Sequence, residues 1–180
     1  FRKLMEKKIS EEVVFKGNLL KVILRKVIIN DNRETYREIV YHPGAVGIIS
    51  LTKENKLILV KQYRSPFEDY LIEIPAGKLK ENENPLECAK RELLEETGFS
   101  GEMEKIGIYS TSPGFSNELI YIFLCKNAEY ETDRYKKIGE IENLIFLNID
   151  EANKLLLTGE IKDLKTAFSI IYINEKFKFF

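Results

Sequence analysis

The sequence predicts an α+β fold built on a mixed β-sheet, and three observations carry that prediction. Runs rich in valine, isoleucine and leucine dominate the first half of the chain, helix signals are few and well separated, and the two kinds do not alternate as a doubly wound array requires. With 180 residues, 44% hydrophobic and 32% charged, the chain is long enough to close one core.

Each element has its own signal. Residues 12–29, "EVVFKGNLLKVILRKVII", read as strands interrupted at Gly17 and Asn18. "DNRETYREIVYHPG" passes through a polar turn into another strand that stops at Pro43 and Gly44. Strands follow at 45–51 and 56–63, and Pro66 and Pro75 then bracket a short strand around Leu71 to Ile74 and exclude a helix across it. The first helix opens at Asn84, a good N-cap, with Pro85 at the first helical position, and closes at Gly98. "MEKIGIYSTSPG" and "NELIYIFLCKNAEY" read as two strands about a Pro113-Gly114 loop. "DRYKKIGEIEN" is a polar loop, "LIFLNI" a strand, and helices from Asp150 and from about Lys162 complete the chain.

Bulk composition excludes several partners. The 28 basic residues face 29 acidic ones for a net charge of -1, so no global field recruits nucleic acid or an anionic membrane. The longest apolar runs, such as "AVGIISL" at 45–51, are strand-sized, far below the roughly 20 residues a bilayer span needs. No signal peptide is read. Cys88, Cys125 and His42 offer neither a disulfide framework nor a zinc spacing, and a reducing cytoplasm is the expected setting.

The chemistry concentrates in "KRELLEETGF", residues 90–99. Spacing i, i+3, i+4 puts Glu92, Glu95 and Glu96 on one helical face. Like charges so placed destabilise a helix by about 0.2–0.5 kcal/mol per pair, and carboxylates in its C-terminal half oppose its dipole. Two readings follow: a solvated surface helped by Lys90 and Arg91, or a hard-cation site in which Mg²⁺ or Mn²⁺ takes carboxylate oxygens and completes its shell with water and phosphate. The helix alone leaves both open.

Extended back to Gly77, the segment "GKLKENENPLECAKRELLEETGF" resembles the signature of the Nudix hydrolases. Gly77, Glu83, Arg91, Glu92, Leu93, Glu95, Glu96, Gly98 and Phe99 occupy every specified position of that signature at its spacing. The resemblance implies an αβα sandwich with a mixed sheet over residues 44–180, preceded by a small antiparallel β region over 1–43. It also implies Glu92, Glu95 and Glu96 as metal ligands, with the backbone carbonyl of Ala76, for Mg²⁺ or alternatively Mn²⁺. Arg91 would orient a glutamate and Glu83 would fix the loop, between the framing glycines Gly77 and Gly98.

Beyond the box, "QYRSPFEDYLIEIPAGKL" at 62–79, "REIVYHPGAVGII" at 37–49 and "TSPGFSNE" at 111–118 resemble the ADP-ribose pyrophosphatase subgroup. That resemblance implies hydrolysis of ADP-ribose to AMP and ribose 5-phosphate, with Arg37, Arg64, Glu73, Pro113 and Gly114 at the substrate. Glu140 and Glu142, from "KKIGEIENLI", are the candidates for general base and a further metal ligand, alongside Glu96 and Arg91. Another nucleoside diphosphate sugar, such as a GDP-sugar, is the alternative substrate, and a regulator that binds ADP-ribose without cleaving it is the alternative class. The N-terminal strands resemble the region that protomers of this subgroup exchange, which implies a homodimer with Arg37 acting across the interface. His42 reads as structural before Pro43, Cys88 as filler, and Phe67 and Tyr70 either as core or as a stack for a base.

Overall fold

The computed structural model describes residues 6–29, 32–132 and 141–177. The chain divides into two compact units, one formed by the chain up to Gly44 with Tyr109–Ile120, the other by Ala45–Ile108 with Tyr121 to the C-terminus.

The first unit is an antiparallel three-stranded sheet in which β2 (Lys21–Ile28) lies between β1 (Lys7–Lys16) and β3 (Glu34–Tyr41). The Gly17 N–H donates to the Leu20 carbonyl at 2.9 Å and closes the first hairpin at the predicted turn. Alternation buries Ile23 and Val27 on β2. Every residue of β1 is exposed, Val13, Val14 and Phe15 included. The segment Tyr109–Ile120 joins this sheet through a parallel bridge between Val40 and Ser116, where the Val40 N–H donates to the Phe115 carbonyl at 2.8 Å. His42 fastens the same corner: its N–H donates to Asn117 Oδ1 at 2.8 Å, and its Nδ1 accepts from the Gly44 N–H at 3.1 Å.

The second unit contains β4 (Ala45–Thr52), β5 (Leu57–Arg64), β6 (Asp69–Glu73), β7 (Ala76–Lys78), α1 (Pro85–Thr97), β8 (Phe99–Ser100), all but two residues each of β9 (Met103–Ser110) and β10 (Leu119–Tyr130), β11 (Ile141–Leu147), α2 (Ile149–Leu157) and α3 (Leu164–Phe177). Its mixed sheet runs β11-β5-β4-β10-β8, with β6 added on β5, β7 on β4 and β9 on β10. Four consecutive residues of β5, Leu57 to Val60, are buried, as are Ile48 and Ile49 on β4. Burial of neighbours whose side chains point to opposite faces requires cover on both sides, which is the layering of an αβα sandwich. On one side Cys88, Ala89 and Leu93 of α1 pack with Val46, Ile48 and Ile58. α2 and α3 pack on each other, with α2 against β11 and α3 against β6.

Capping explains where the helices begin. α2 starts one residue before the expected Asp150, because Asn148 and Glu151 form a reciprocal capping box. α3 starts after Lys162, because Asp163 Oδ2 accepts the Thr166 N–H at 2.9 Å and so takes the N-cap place. Pro66 supplies a single 3-10 turn over Ser65–Phe67, and β7 is a short strand that follows Pro75, where no strand signal stands in the sequence.

Candidate active site

α1 is fixed at both ends. Asn84 Oδ1 accepts the Leu86 N–H at 2.8 Å, Pro85 opens the first turn, and Gly98 adopts a left-handed φ of 74° that lets its N–H close on the Leu94 carbonyl at 2.9 Å. The glutamate face of this helix is not a wet surface. Glu92 and Glu96 retain 4% and 1% of their exposure, and only Glu95 reaches solvent, with 44% of its side chain exposed.

One guanidinium organises that face. Arg91 donates from Nε and Nη2 to Glu83 at 2.8 and 2.9 Å, and from Nη1 to Glu92 at 2.6 Å and Glu95 at 3.2 Å. Glu83 Oε2 also accepts the Lys80 N–H at 2.9 Å, which ties the loop before α1 to the helix. The Arg91 guanidinium, followed by that backbone N–H, holds the Glu83 carboxyl down to about 2. Cys88, a hydrogen-bond acceptor for Arg91 Nη2 at 3.3 Å, has its thiol pushed up to about 12, chiefly by burial.

Two residues of the Pro75-Ala76-Gly77 segment complete the arrangement. Glu96 Oε2 accepts the Ala76 N–H at 2.9 Å, and the Pro75 carbonyl accepts the Ile48 N–H at 2.8 Å, so α1 and β4 hold the segment between them. A Cβ at Gly77 would lie 1.9 Å from the Glu92 carboxyl carbon. A side chain here would push Glu92 aside, so the glycine is what admits its close approach. Carboxylate and carbonyl oxygens are the donors that hard divalent cations accept. Among the described residues, however, no three acidic, histidine or cysteine side chains converge as a finished cation cage. Arg91 spans Glu92 and Glu95, and the Ala76 N–H holds one oxygen of Glu96.

A second ionic cluster surrounds Glu73. Arg64 donates to it bidentately, Nε to Oε1 and Nη2 to Oε2, both at 2.6 Å. Lys165 donates to the same Oε2 and, at 2.8 Å, to Asp163 Oδ1. Asp163 Oδ2 accepts the Thr166 hydroxyl at 2.6 Å, and that hydroxyl oxygen accepts the buried Ile74 N–H at 2.8 Å. Burial raises the Glu73 carboxyl, but Arg64 and Lys165 outweigh it and leave the group below the ordinary carboxylate range. With 2% of its side chain exposed, Glu73 faces Arg64 and Lys165 and offers its oxygens to them. The Glu96 charge also acts on Arg64.

The other expected site residues are placed as follows. Glu142 sits at a register shift in β11 and pairs with Lys61 at 2.7 Å. Lys61 lies over the Tyr70 ring, and Tyr70 meets Tyr63 edge to face. In the β5–β6 register these side chains occupy the face opposite Arg64 and Glu73, so the structure does not bring Glu142 to the Arg64 side. Glu140 lies outside the described residues. In the first unit Arg37 donates from Nε to Glu6 at 3.0 Å, and Pro113 and Gly114 stand exposed in a turn that Ser112 closes. A Cβ at Gly114 would touch nothing, so nothing steric requires a glycine there. Phe67 and Tyr70 are 67% and 42% exposed and so do not belong to the core. Sequence reasoning missed Asp163, Lys165 and Thr166, which carry no motif and reach Glu73 and Ile74 across about half the chain.

The chain is similar to several known proteins. The family model described as NUDIX domain matches residues 41–168. The chain is 38% identical over 177 residues to the ADP-ribose pyrophosphatase of Bacillus subtilis (strain 168), covering 97% of this chain and 96% of that one. It is 41% identical over 171 residues to the methanol dehydrogenase activator of Bacillus methanolicus, covering 94% and 92%. It is 32% identical over 159 residues to the GDP-mannose pyrophosphatase of Escherichia coli (strain K12), covering 82% and 80%. A crystal structure of an ADP compounds hydrolase superposes with a TM-score of 0.85 over 96% of this chain and 94% of that one, at 19% identity, a likeness of fold. The acidic helix, its arginine clamp and the glycine that admits Glu92 thus belong to a chain of the NUDIX family.

Proposed function

We propose that the protein is a divalent-metal-dependent hydrolase that cleaves ADP-ribose to AMP and ribose 5-phosphate. The observation that carries this reading is the box itself: Glu92, Glu95 and Glu96 share one helix face with two of them buried, and carboxylate oxygens gathered on a rigid element are what a hard divalent cation accepts. The nearly full-length similarity to a chain named ADP-ribose pyrophosphatase supports the choice of substrate.

In the reaction, water adds across the phosphoanhydride: a new P–O bond forms at one phosphorus, the bridging P–O bond breaks, and the second phosphate leaves with the bridging oxygen. Mg²⁺, or Mn²⁺, when bound, neutralises phosphate oxygens and lowers the pKa of a water. Glu92, Glu95 and Glu96, with the Ala76 carbonyl, would hold it. For that, Glu92 and Glu95 turn away from Arg91, which keeps its grip on Glu83 and steadies the helix against the loop. Arg64 has its Nε and Nη2 engaged by Glu73 and turns its Nη1 side to a phosphate. The candidates for general base are Glu140 and Glu142; Glu142 would have to leave both its Lys61 pair and the face opposite Arg64.

The test is product chromatography over a panel of nucleoside diphosphate sugars with Mg²⁺. Release of AMP from ADP-ribose at the highest kcat/KM is expected, and preferential cleavage of a GDP-sugar would replace this reading with the alternative that the GDP-mannose pyrophosphatase likeness supports. Tight binding without AMP release would identify a binding regulator. The fully exposed β1, with Val13, Val14 and Phe15 side by side, supports a homodimer formed through the N-terminal sheet, in which Arg37 reaches the partner's site; a monomer by light scattering would refute it. Two free, buried cysteines suit a cytoplasmic enzyme, and no helix among the described residues is long and apolar enough to cross a membrane.

A further inference from the structure

We propose that Lys165 is a positioning residue for substrate binding: it shares the buried Glu73 carboxylate so that Arg64 is both fixed in place and left with positive charge to offer a phosphate. The proposal rests on the reading of Arg64 as the group that meets the substrate's diphosphate. Lys165 itself is not a contact for substrate, since only 17% of its side chain is exposed and its ammonium is engaged by Glu73 and Asp163.

Glu73, at 2% exposure, is a carboxylate that must be paired to exist as an anion in that position. Were Arg64 its sole partner, the bidentate pair would be neutral, and the guanidinium would present little net charge on its remaining side. Lys165, donating to the same Oε2, adds one positive charge beside Arg64, so that Glu73 is shared and Arg64 is held by geometry without being its sole counter-charge. Asp163, which also pairs with Lys165 at 2.8 Å and whose charge reaches Arg64, brings the four groups to net zero, where without Lys165 they would sum to one negative charge. It accepts the Thr166 N–H and hydroxyl, at the helix end where the dipole favours an anion.

The placement of Lys165 is equally determined. Thr166 Oγ1 accepts the buried Ile74 N–H, so the backbone directly after Glu73 is clamped to the turn that carries Lys165. Two adjacent residues of the β6 end, Glu73 by side chain and Ile74 by backbone, are thereby matched to two adjacent residues of α3, Lys165 and Thr166. The same segment runs on to Ala76, whose N–H is held by Glu96. The first turn of α3 therefore sets the position of the Arg64 guanidinium relative to the acidic helix.

Steady-state kinetics on the full chain with Mg²⁺ test this. Lys165→Met is expected to raise KM about tenfold, the size of one charge-assisted hydrogen bond, with kcat within about twofold of wild type and the far-UV spectrum unchanged. Lys165→Arg, which keeps the charge on Glu73, is expected to recover most of that loss, and Lys165→Gln serves as a second neutral variant should the Met protein fold poorly. In an Arg64→Ala background the Lys165→Met effect on KM is expected to vanish, because the two act through one contact. An unchanged KM, a loss confined to kcat and thermal stability, or an equal KM effect with and without Arg64 would overturn the proposal. If the wild-type protein releases no AMP from ADP-ribose but cleaves another member of the panel, the substrate reading falls, and the same variants compared on the cleaved substrate decide the role of Lys165 separately.

Discussion

The molecule builds two arginine clamps with different charge balances. At α1 one guanidinium, Arg91, serves three carboxylates, Glu83, Glu92 and Glu95, with Glu96 buried a turn away. At β6 two cations, Arg64 and Lys165, serve one buried carboxylate, Glu73. The first cluster gathers three carboxylates on one cation and the second, with Asp163 beside Glu73, pairs two cations with two carboxylates, although each is closed by hydrogen bonds of similar length. Buried like charges are tolerated where something outside the chain completes them. Under the proposed function, the first cluster is the place that would take cations and the second the place that would turn a fixed cation toward an anion.

The largest effect is expected from removing charge where it is already unbalanced. Glu96→Gln keeps an oxygen to accept the Ala76 N–H, so the fold is expected to survive while kcat falls by about a hundredfold or more. Turnover within a few-fold of wild type, at unchanged thermal midpoint, would show that the acidic helix is not the reactive centre.

Gly77→Ala attacks the same cluster without touching charge. Its Cβ would stand 1.9 Å from the Glu92 carboxyl carbon, so the side chain must be displaced from beside Gly77 and from the neighbouring Ala76 carbonyl with which it would share a metal. A loss of about 10–100-fold in activity or in metal affinity is expected, the range seen when a group that orients a ligand is lost. Isothermal titration with Mn²⁺ checks this independently of turnover; undiminished affinity would mean that Glu92 is free to relocate and is not a ligand.

The two clamps also differ in how far the sequence reveals them. Arg91 reaches Glu83, Glu92 and Glu95 at separations of eight, one and four residues. Helical periodicity and a loop signature are enough to bring such groups together, and Asn84, Pro85 and Gly98 mark the helix ends in plain view. Lys165 and Glu73 are 92 residues apart, and only the packing of α3 on β6 makes them neighbours. Glu142 shows a third limit. Its spacing from the last strand is legible, but the register shift between Ile141 and Asn143 decides which face it takes, and a one-residue slip reverses that outcome. The strand β7 escaped notice for a related reason: three residues after a proline carry no periodicity, and they are held by β4 rather than by their own propensity.

Acid exposes the local clamp. Glu83 has its carboxyl held down to about 2 in the folded protein, chiefly by Arg91, against an ordinary value of about 4.3. A depressed carboxyl contributes stability that is fully present above the ordinary value and is lost as pH falls toward the folded one. Between about pH 4.3 and pH 2, wild-type stability is therefore expected to fall more steeply than that of Glu83→Gln, in denaturant melts taken across the window. Parallel curves for the two proteins would mean that Arg91 does not hold Glu83 in solution.

The smallest effect separates holding α1 from using it. Asn84→Ala removes the Oδ1 that accepts the Leu86 N–H, at the far end of the helix from Glu95 and Glu96. Loss of such a cap costs about 1 kcal/mol, which lowers the thermal midpoint of a chain this size by about 2–4 °C. KM and kcat at 25 °C are expected to stay within about twofold, because Arg91 and Glu83 lock the box loop to the helix without the cap. If Asn84→Ala instead costs as much activity as Gly77→Ala, the clamp does not stand apart from the helix end, and the charge imbalance around Arg91 is sustained by the whole of α1 rather than by the four side chains that create it.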